Sequence, residues 1–133
     1  MAKKIITNVK QSKQLANQIA KKLKGGEVLA LIGPLGSGKT TFTQHLAKAL
    51  GVKSKVSSPT FVLMQTYATK QLGQKRLFLD HFDLYRLESE KEILSSGLAE
   101  HWGMPDVICA IEWADKAKKL LPKHSINIIF KSI

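Results

Sequence analysis

Apolar positions along the chain repeat with two different periods. Leu15, Ala16, Ile19, Ala20 and Leu23 recur at three- and four-residue steps with lysines on the opposite side, which predicts an amphipathic helix. Asn8 or Ser12 can cap its start, and Gly25-Gly26 end it. Phe42, Leu46, Ala49 and Leu50 predict a second helix, ended by Gly51. Between them, Val28-Leu29-Ala30-Leu31-Ile32 is a short unbroken apolar run of the kind that forms a buried strand, and Val107 to Ile111 is another.

The remaining elements are shorter. Ile5-Ile6 opens an edge strand, and Ile126 to Phe130 forms the last one. Val62 to Tyr67 and Arg76 to Phe82 read as two strands joined by a polar hairpin connection, Ala68 to Lys75. Alternation in the second puts Leu77, Leu79 and His81 on one face and Phe78, Asp80 and Phe82 on the other. Glu88, Glu90 and Glu92 suit the positive start of a helix. Gly97 to Gly103 is a short helical or turn segment, and Asp115 to Leu120 a brief basic helix stopped by Pro122. Strands alternating with helices make this an α/β chain. At 133 residues the expectation is one domain, residues 1–133.

Charge adds an asymmetry. The formal net charge is +11, and up to Leu79 Glu27 is the only acid against fourteen lysines and arginines. From Asp80 onward nine acids face seven bases. A basic amino-terminal half fits contact with a polyanion such as RNA, with affinity falling steeply in salt. The competing reading, slightly favoured, is a solvated lysine face, because interleaved aromatics are missing. Cys109 is the single cysteine and lies inside an apolar run, so it reads as a core residue. No apolar run approaches the ~20 residues of a membrane helix, and the start lacks the features of a signal peptide. The expected location is the cytoplasm.

The chemistry gathers between the first buried strand and the second helix. Gly33-Pro34-Leu35-Gly36-Ser37-Gly38-Lys39-Thr40 fits G-x-x-x-x-G-K-[ST], the phosphate-binding loop. Its glycines let backbone N–H groups turn toward phosphate oxygens, and the helix behind adds its dipole. Lys39 then reaches the β- and γ-phosphates and Thr40 carries Mg²⁺. Val56 to Phe61 is a hydroxyl-bearing loop where nucleotide switches place a γ-phosphate sensor; Thr60 is the candidate, with Ser57 and Ser58 weaker ones. Asp83 leaves the end of an apolar strand in the manner of a Walker B acid and is preferred to Asp80, which would point the opposite way or into solvent. Glu112 leaves the carboxyl end of the second buried strand, where open α/β sheets bind ligands. It can ligate Mg²⁺ or its water, or orient the attacking water. Trp113 can pack on the nucleotide, on a partner or in the core. His45, His81, His101 and His124 show no metal-ligand spacing and read as surface or packing residues, with His81 the exception to watch because it lies two residues before Asp83.

Leu35 to Thr43, Ser58-Pro59-Thr60-Phe61, His81-Phe82-Asp83-Leu84-Tyr85-Arg86-Leu87, Gly97-Leu98 and Ile111-Glu112-Trp113 together resemble the signature of the bacterial TsaE (YjeE) family. The blocks keep the family's order from about Gly25 to Leu121. The resemblance implies a three-layer P-loop NTPase fold with a mixed parallel and antiparallel sheet. It implies a Mg²⁺-dependent ATPase needed to make threonylcarbamoyladenosine in tRNA, next to the anticodon, working with the TsaB–TsaD transferase pair and slow without it. Gly33, Leu35, Gly36, Ser37, Gly38, Lys39, Thr40 and Thr41 would hold ATP, with Thr60 and Trp113 beside it. Lys39, Asp83 and Glu112 would carry catalysis, and Thr40 and Glu112 the metal. Contact with tRNA would be indirect or through the basic half, and the isolated protein a monomer. Two departures stand out. Pro34 replaces a usually acidic or amide residue, so no catalytic help from that side chain carries over. The chain ends at Ile133, so base contacts from a longer tail do not carry over either.

Two rivals differ in chemistry. A small-molecule or nucleotide P-loop kinase clamps two phosphorylated ligands with several arginines, whereas this chain has only Arg76 and Arg86. A non-enzymatic switch would use ATP to order the Thr60 loop, with turnover incidental.

Overall fold

A computed structural model of the chain describes residues 3–59, 62–70 and 76–131. Six strands form a single sheet in the order β1-β6-β2-β5-β4-β3. They are β1 (Lys3–Ile6), β2 (Val28–Ile32), β3 (Met64–Ala68), β4 (Phe78–Asp83), β5 (Val107–Glu112) and β6 (Ile126–Phe130). Every neighbouring pair is parallel except β3 with β4, which is antiparallel. The mixed sheet implied by the hairpin and by the family resemblance is therefore present.

Strand alternation divides the core between the two faces of this sheet. Leu29 and Leu31 of β2, Leu79 of β4, Ile108 and Ala110 of β5 and Ile128 of β6 pack on one face, beneath α1 (Val9–Ala20) and α2 (Lys39–Ala49). Val28, Ala30, Phe82, Cys109 and Ile111 pack on the other, beneath α3 (Glu90–Ser96) and two 3-10 turns, Leu98–His101 and Ala114–Ala117. The result is three layers, in line with the expected fold. Leu31 and Phe82 have no exposed surface, so truncation of either to Ala would cost about 2–5 kcal/mol.

The helix ends follow from local chemistry. Asn8 caps α1, its side chain accepting from the Gln11 backbone N–H at 2.8 Å, so Asn8 rather than Ser12 is the cap. Ser12 is instead buried on the helix. Ser89 caps α3 in the same way, with Glu90 and Glu92 in the first turn, and Gly97 ends it in the left-handed conformation. Gly51, at φ +81°, follows the last turn of α2 as expected.

Several boundaries differ from the sequence reading: α1, expected to run to Gly25-Gly26, ends at Ala20, and the strand expected over Val107 to Ile111 continues through Glu112. The strand expected from Val62 begins at Met64, because Leu63 turns into the left-handed region at φ 68° and its N–H donates to the Pro59 carbonyl. The strand expected over Arg76 to Phe82 begins only at Phe78 and runs on through Asp83, whose N–H is held by the Leu63 carbonyl at 3.0 Å. The helix expected at Asp115 to Leu120 is only the 3-10 turn Ala114–Ala117, entered through Trp113 at φ 60°. Of the expected hairpin connection, Gln71 to Lys75 lies outside the described residues. Among the described residues no helix is long and apolar enough to cross a membrane.

Candidate functional site

β2 delivers the chain into Gly33–Gly38 at its carboxyl end, and α2 leaves from there. Gly36 and Gly38 take φ +74° and +101°, a region L side chains rarely adopt. Gly33 is needed for space: a Cβ there would meet the Phe130 Cβ, the Phe130 carbonyl and the Ser37 hydroxyl, each at 2.8 Å. α2 starts without a side-chain cap and without an acid in its first turn. Its opening N–H groups therefore point into the loop with the helix dipole behind them.

Three strand ends bring the side chains together. Register sets Asp83 of β4 opposite Glu112 of β5, and Glu112 opposite Leu31 of β2. Alternation then turns His81, Asp83 and Glu112 to the face covered by α2. Thr40, in the first turn of α2, donates its hydroxyl to Glu112 Oε2 at 2.8 Å. His81 Nε2 lies 2.6 Å from that same oxygen, with the ring wholly buried. Asp83 accepts from the Ser58 hydroxyl at 2.9 Å and from the Tyr85 N–H at 3.0 Å. Asp80 faces the other way, as one of the two alternatives had it, but is buried and not in solvent; its carboxylate lies 3.6 Å from His101 Nδ1.

Lys39 is only 4% exposed. Its ammonium donates to the Gly33 and Pro34 carbonyls and sits 4.0 Å from the centre of the Trp113 ring. Burial lowers its pKa, opposed by the negative charges of Glu112, Asp83 and Asp115. Trp113 stacks at a tilt on Tyr85 with ring centres 5.1 Å apart. Lys116 fastens the segment carrying Tyr85, donating to the Tyr85 carbonyl at 2.7 Å and the Leu87 carbonyl at 3.0 Å. Sequence reasoning missed Tyr85 and Lys116; their signal was only adjacency, two positions after Asp83 and three after Trp113.

These groups surround a cavity of about 400 Å³ lined by Leu35 to Thr41, Ser58, Asp83, Tyr85, Glu112 and Trp113. A second cavity, of about 330 Å³, lies on the far side of the loop between Thr7, Asn8, Ser12, Thr41 and Lys131. Gly36, Ser37, Gly38 and Thr41 line both. A larger groove of about 490 Å³ opens between the carboxyl ends of α1 and α2, among Ala20, Leu23 and Leu50, and among the described residues no carboxylate lines it. Of the expected residues, Leu35, Gly36, Ser37, Gly38, Lys39, Thr40, Thr41, Asp83, Glu112 and Trp113 share the first cavity, and Gly33 closes the loop beneath. Thr60 lies outside the described residues. Of its two weaker alternatives, Ser58 is joined to Asp83 and Ser57 is exposed.

The fit to a nucleotide rests on groups left unmatched. Ser37 Oγ is buried without a partner, and α2 has no side-chain cap on its opening N–H groups. A polyphosphate supplies the acceptors these donors lack. No cluster of three or more His, Cys, Asp or Glu side chains able to hold a metal occurs among the described residues. One hydroxyl and one carboxylate, Thr40 and Glu112, suit Mg²⁺, which takes few protein ligands and completes its shell with phosphate and water. Cys109 is buried, and burial together with Asp80 pushes its thiol up to about 12, so it stays a protonated core residue.

Comparison with known proteins gives a consistent result. The family described as "Threonylcarbamoyl adenosine biosynthesis protein TsaE" matches residues 6–133. The chain is similar to a protein of Bacillus subtilis (strain 168) named tRNA threonylcarbamoyladenosine biosynthesis protein TsaE. The two are 40% identical over 124 residues, covering 93% of this chain and 73% of the relative. The Aquifex aeolicus protein of the same name is 43% identical over 124 residues, covering 86% and 90%. Among solved structures, the crystal structure of Bacillus subtilis YdiB superposes with a TM-score of 0.68 at 31% identity, covering 93% of this chain and 72% of that one.

Proposed function

The chain belongs to the TsaE family, and from that premise we propose that it is an ATP-binding and ATP-hydrolysing component of the system that makes threonylcarbamoyladenosine in tRNA. The observation that carries this reading is the convergence of Lys39, Thr40, Asp83 and Glu112 on one cavity at the carboxyl ends of β2, β4 and β5. Residues 1–133 act as one P-loop domain, monomeric when isolated and cytoplasmic. Its partners are a TsaB–TsaD-type transferase pair, which carries out the transfer to the adenosine next to the anticodon.

In this reading the loop N–H groups and Lys39 hold the β- and γ-phosphates, and Thr40 and Glu112 hold Mg²⁺. When bound, the metal neutralises charge on the phosphates during hydrolysis. Asp83 orients the attacking water from a carboxylate already anchored by Ser58 and the Tyr85 N–H. Lys39 gives up the Gly33 and Pro34 carbonyls for phosphate oxygens and keeps the face of Trp113, an exchange that costs little because the ammonium is paired in both states. The nucleoside extends over Gly36 to Gly38 toward the cavity at Thr7, Asn8 and Ser12, the open side of the loop.

A kinase reading would need cations over the transferring phosphoryl group. Arg76 precedes β4, so it lies at the opposite end of the sheet from Asp83, donating to the Thr69 carbonyl at 3.0 Å. Arg86, three positions after Asp83, is the one arginine at that end of β4, and a single arginine falls short of the clamp a kinase uses, which favours hydrolysis.

The test is ATP turnover by the purified protein, alone and with the transferase pair plus tRNA, beside Lys39→Ala and Glu112→Ala. Stimulation by the partners, abolished in both variants, is the expected outcome. Turnover indifferent to partners, with a small acceptor phosphorylated, would replace this reading with the kinase one.

A further inference from the structure

One buried polar group at the site has no part in phosphate or metal binding. His81 has no exposed surface, yet it stands in the middle of β4 between Asp80 and Phe82. An imidazole there costs free energy unless its nitrogens are matched. Nε2 is matched, 2.6 Å from Glu112 Oε2; Nδ1 is buried with no hydrogen-bond partner. Ionised Glu112 can only accept, so Nε2 carries the proton and donates. The position therefore keeps a histidine with one nitrogen orphaned and the other spent on a single carboxylate oxygen.

That oxygen also receives the Thr40 hydroxyl at 2.8 Å. With two donors on Oε2, the Glu112 carboxylate cannot rotate without losing both, and its other oxygen carries no hydrogen bond among the described residues. Alone, the Thr40 bond is a weak restraint, because that hydroxyl can rotate away and is itself wanted by the metal. The ring of His81 is fixed by core packing and has no such freedom.

We infer that His81 is a positioning residue for the metal site: its Nε2–H holds the Glu112 carboxylate in the orientation that accepts Mg²⁺ when Thr40 turns its oxygen to the ion. The inference rests on the proposed Mg²⁺-nucleotide site and adds to it the group that aims its carboxylate. Ligating carboxylates are commonly held in this way, and loss of such a partner costs about 10–100-fold in metal affinity or activity.

The experiment is binding of a fluorescent ATP analogue to the whole chain as Mg²⁺ is raised from zero, with EDTA as the metal-free point and a thermal melt of each protein. His81→Gln places an amide N–H near the position of Nε2, His81→Asn falls short of Glu112, and His81→Leu removes the donor. We expect His81→Gln to keep the wild-type Mg²⁺ dependence within about threefold. His81→Leu and His81→Asn should need about 10–100-fold more Mg²⁺ for half-maximal tightening, with metal-free binding unchanged. A Leu or Asn variant that melts earlier but keeps the wild-type Mg²⁺ dependence would overturn the inference and leave His81 a packing residue. So would a folded Gln variant as impaired as Leu. If His81→Leu does not fold, the Gln and Asn pair decides; if none of the three folds, His81 is a core residue and the inference fails. Failure of the wild type itself to bind the analogue, or to respond to Mg²⁺, is a different result: it overturns the proposed function.

Discussion

Thr40 and Glu112 are 72 positions apart in the chain and joined by a hydrogen bond of 2.8 Å from hydroxyl to carboxylate. The bond ties the first turn of α2 to the end of β5 and closes the floor of the cavity. Its two oxygens are those the proposed Mg²⁺ needs, so the pair serves as a place-holder for the ion. Thr40→Val and Glu112→Gln should each cut Mg²⁺-dependent ATP turnover by about 100-fold, with the double variant little worse than either single one, since groups acting as a unit are not additive. A double-variant cycle on turnover checks this. Losses that multiply would mean that the two side chains act separately.

Glycines of the loop should differ in kind. Gly33→Ala forces a Cβ against backbone and side-chain atoms of Phe130 and Ser37 at 2.8 Å, and should destabilise the fold by about 1–3 kcal/mol, as overpacking does. Gly36→Ala meets nothing within 4 Å, and its cost is the positive φ alone, about 1 kcal/mol. Urea denaturation of the two variants separates a loss of space from a loss of conformational freedom.

What could be read in advance divides along physical lines. β2 matches its expected bounds because a buried parallel strand is a continuous apolar run with sharp ends, and β6 matches although Asn127 interrupts its apolar run. β3 begins later than expected because Val62 and Leu63 have strand-like side chains, while a local turn, closed by the Leu63 N–H on the Pro59 carbonyl four residues earlier, takes the backbone out of the strand. The segment after Trp113 was expected to be helical, but Ala114 and Ala117 face the core from a 3-10 turn. The glycine turn between β2 and α2 was legible because its pattern is local. The Asp83 and Glu112 strand ends were legible because apolar runs point to them. The bond from His81 to Glu112 was not, since it depends on β4 lying beside β5, which no local pattern specifies. Tyr85 and Lys116 were hidden for the same reason.

Trp113 should report nucleotide binding. Its ring lies 4.0 Å from the Lys39 ammonium in the cavity at the carboxyl ends of β2, β4 and β5, whereas Trp102 is buried against Phe82 and does not line that cavity. ATP with Mg²⁺ should change the intrinsic emission of the wild type and of Trp102→Phe, and leave Trp113→Phe silent while it still binds. Measurement by tryptophan emission, with binding followed separately by calorimetry, checks both halves. A Trp113→Phe variant that keeps the full emission change would place the nucleotide away from this ring.

Cys109 gives a prediction in pH with a definite sign. Its thiol is pushed from an ordinary value near 9.0 up to about 12, first by burial and then by Asp80. Between those values the unfolded chain releases the proton and the folded chain keeps it. The folded state therefore binds more protons, and stability falls as pH rises through that window, by up to about 1.4 kcal/mol per pH unit for a single group. Below pH 9 the contribution is flat. Other groups titrate in the same range, so the measured quantity is the difference in unfolding free energy between wild type and Cys109→Ala from pH 8 to 10.5. Cys109→Ala starts lower through the lost volume, and the gap should narrow above pH 9. The same burial keeps the native thiol from a maleimide reagent at pH 8 while the urea-unfolded chain reacts at once. A gap that stays constant with pH, or rapid labelling of the folded protein, would mean that Cys109 is open to solvent.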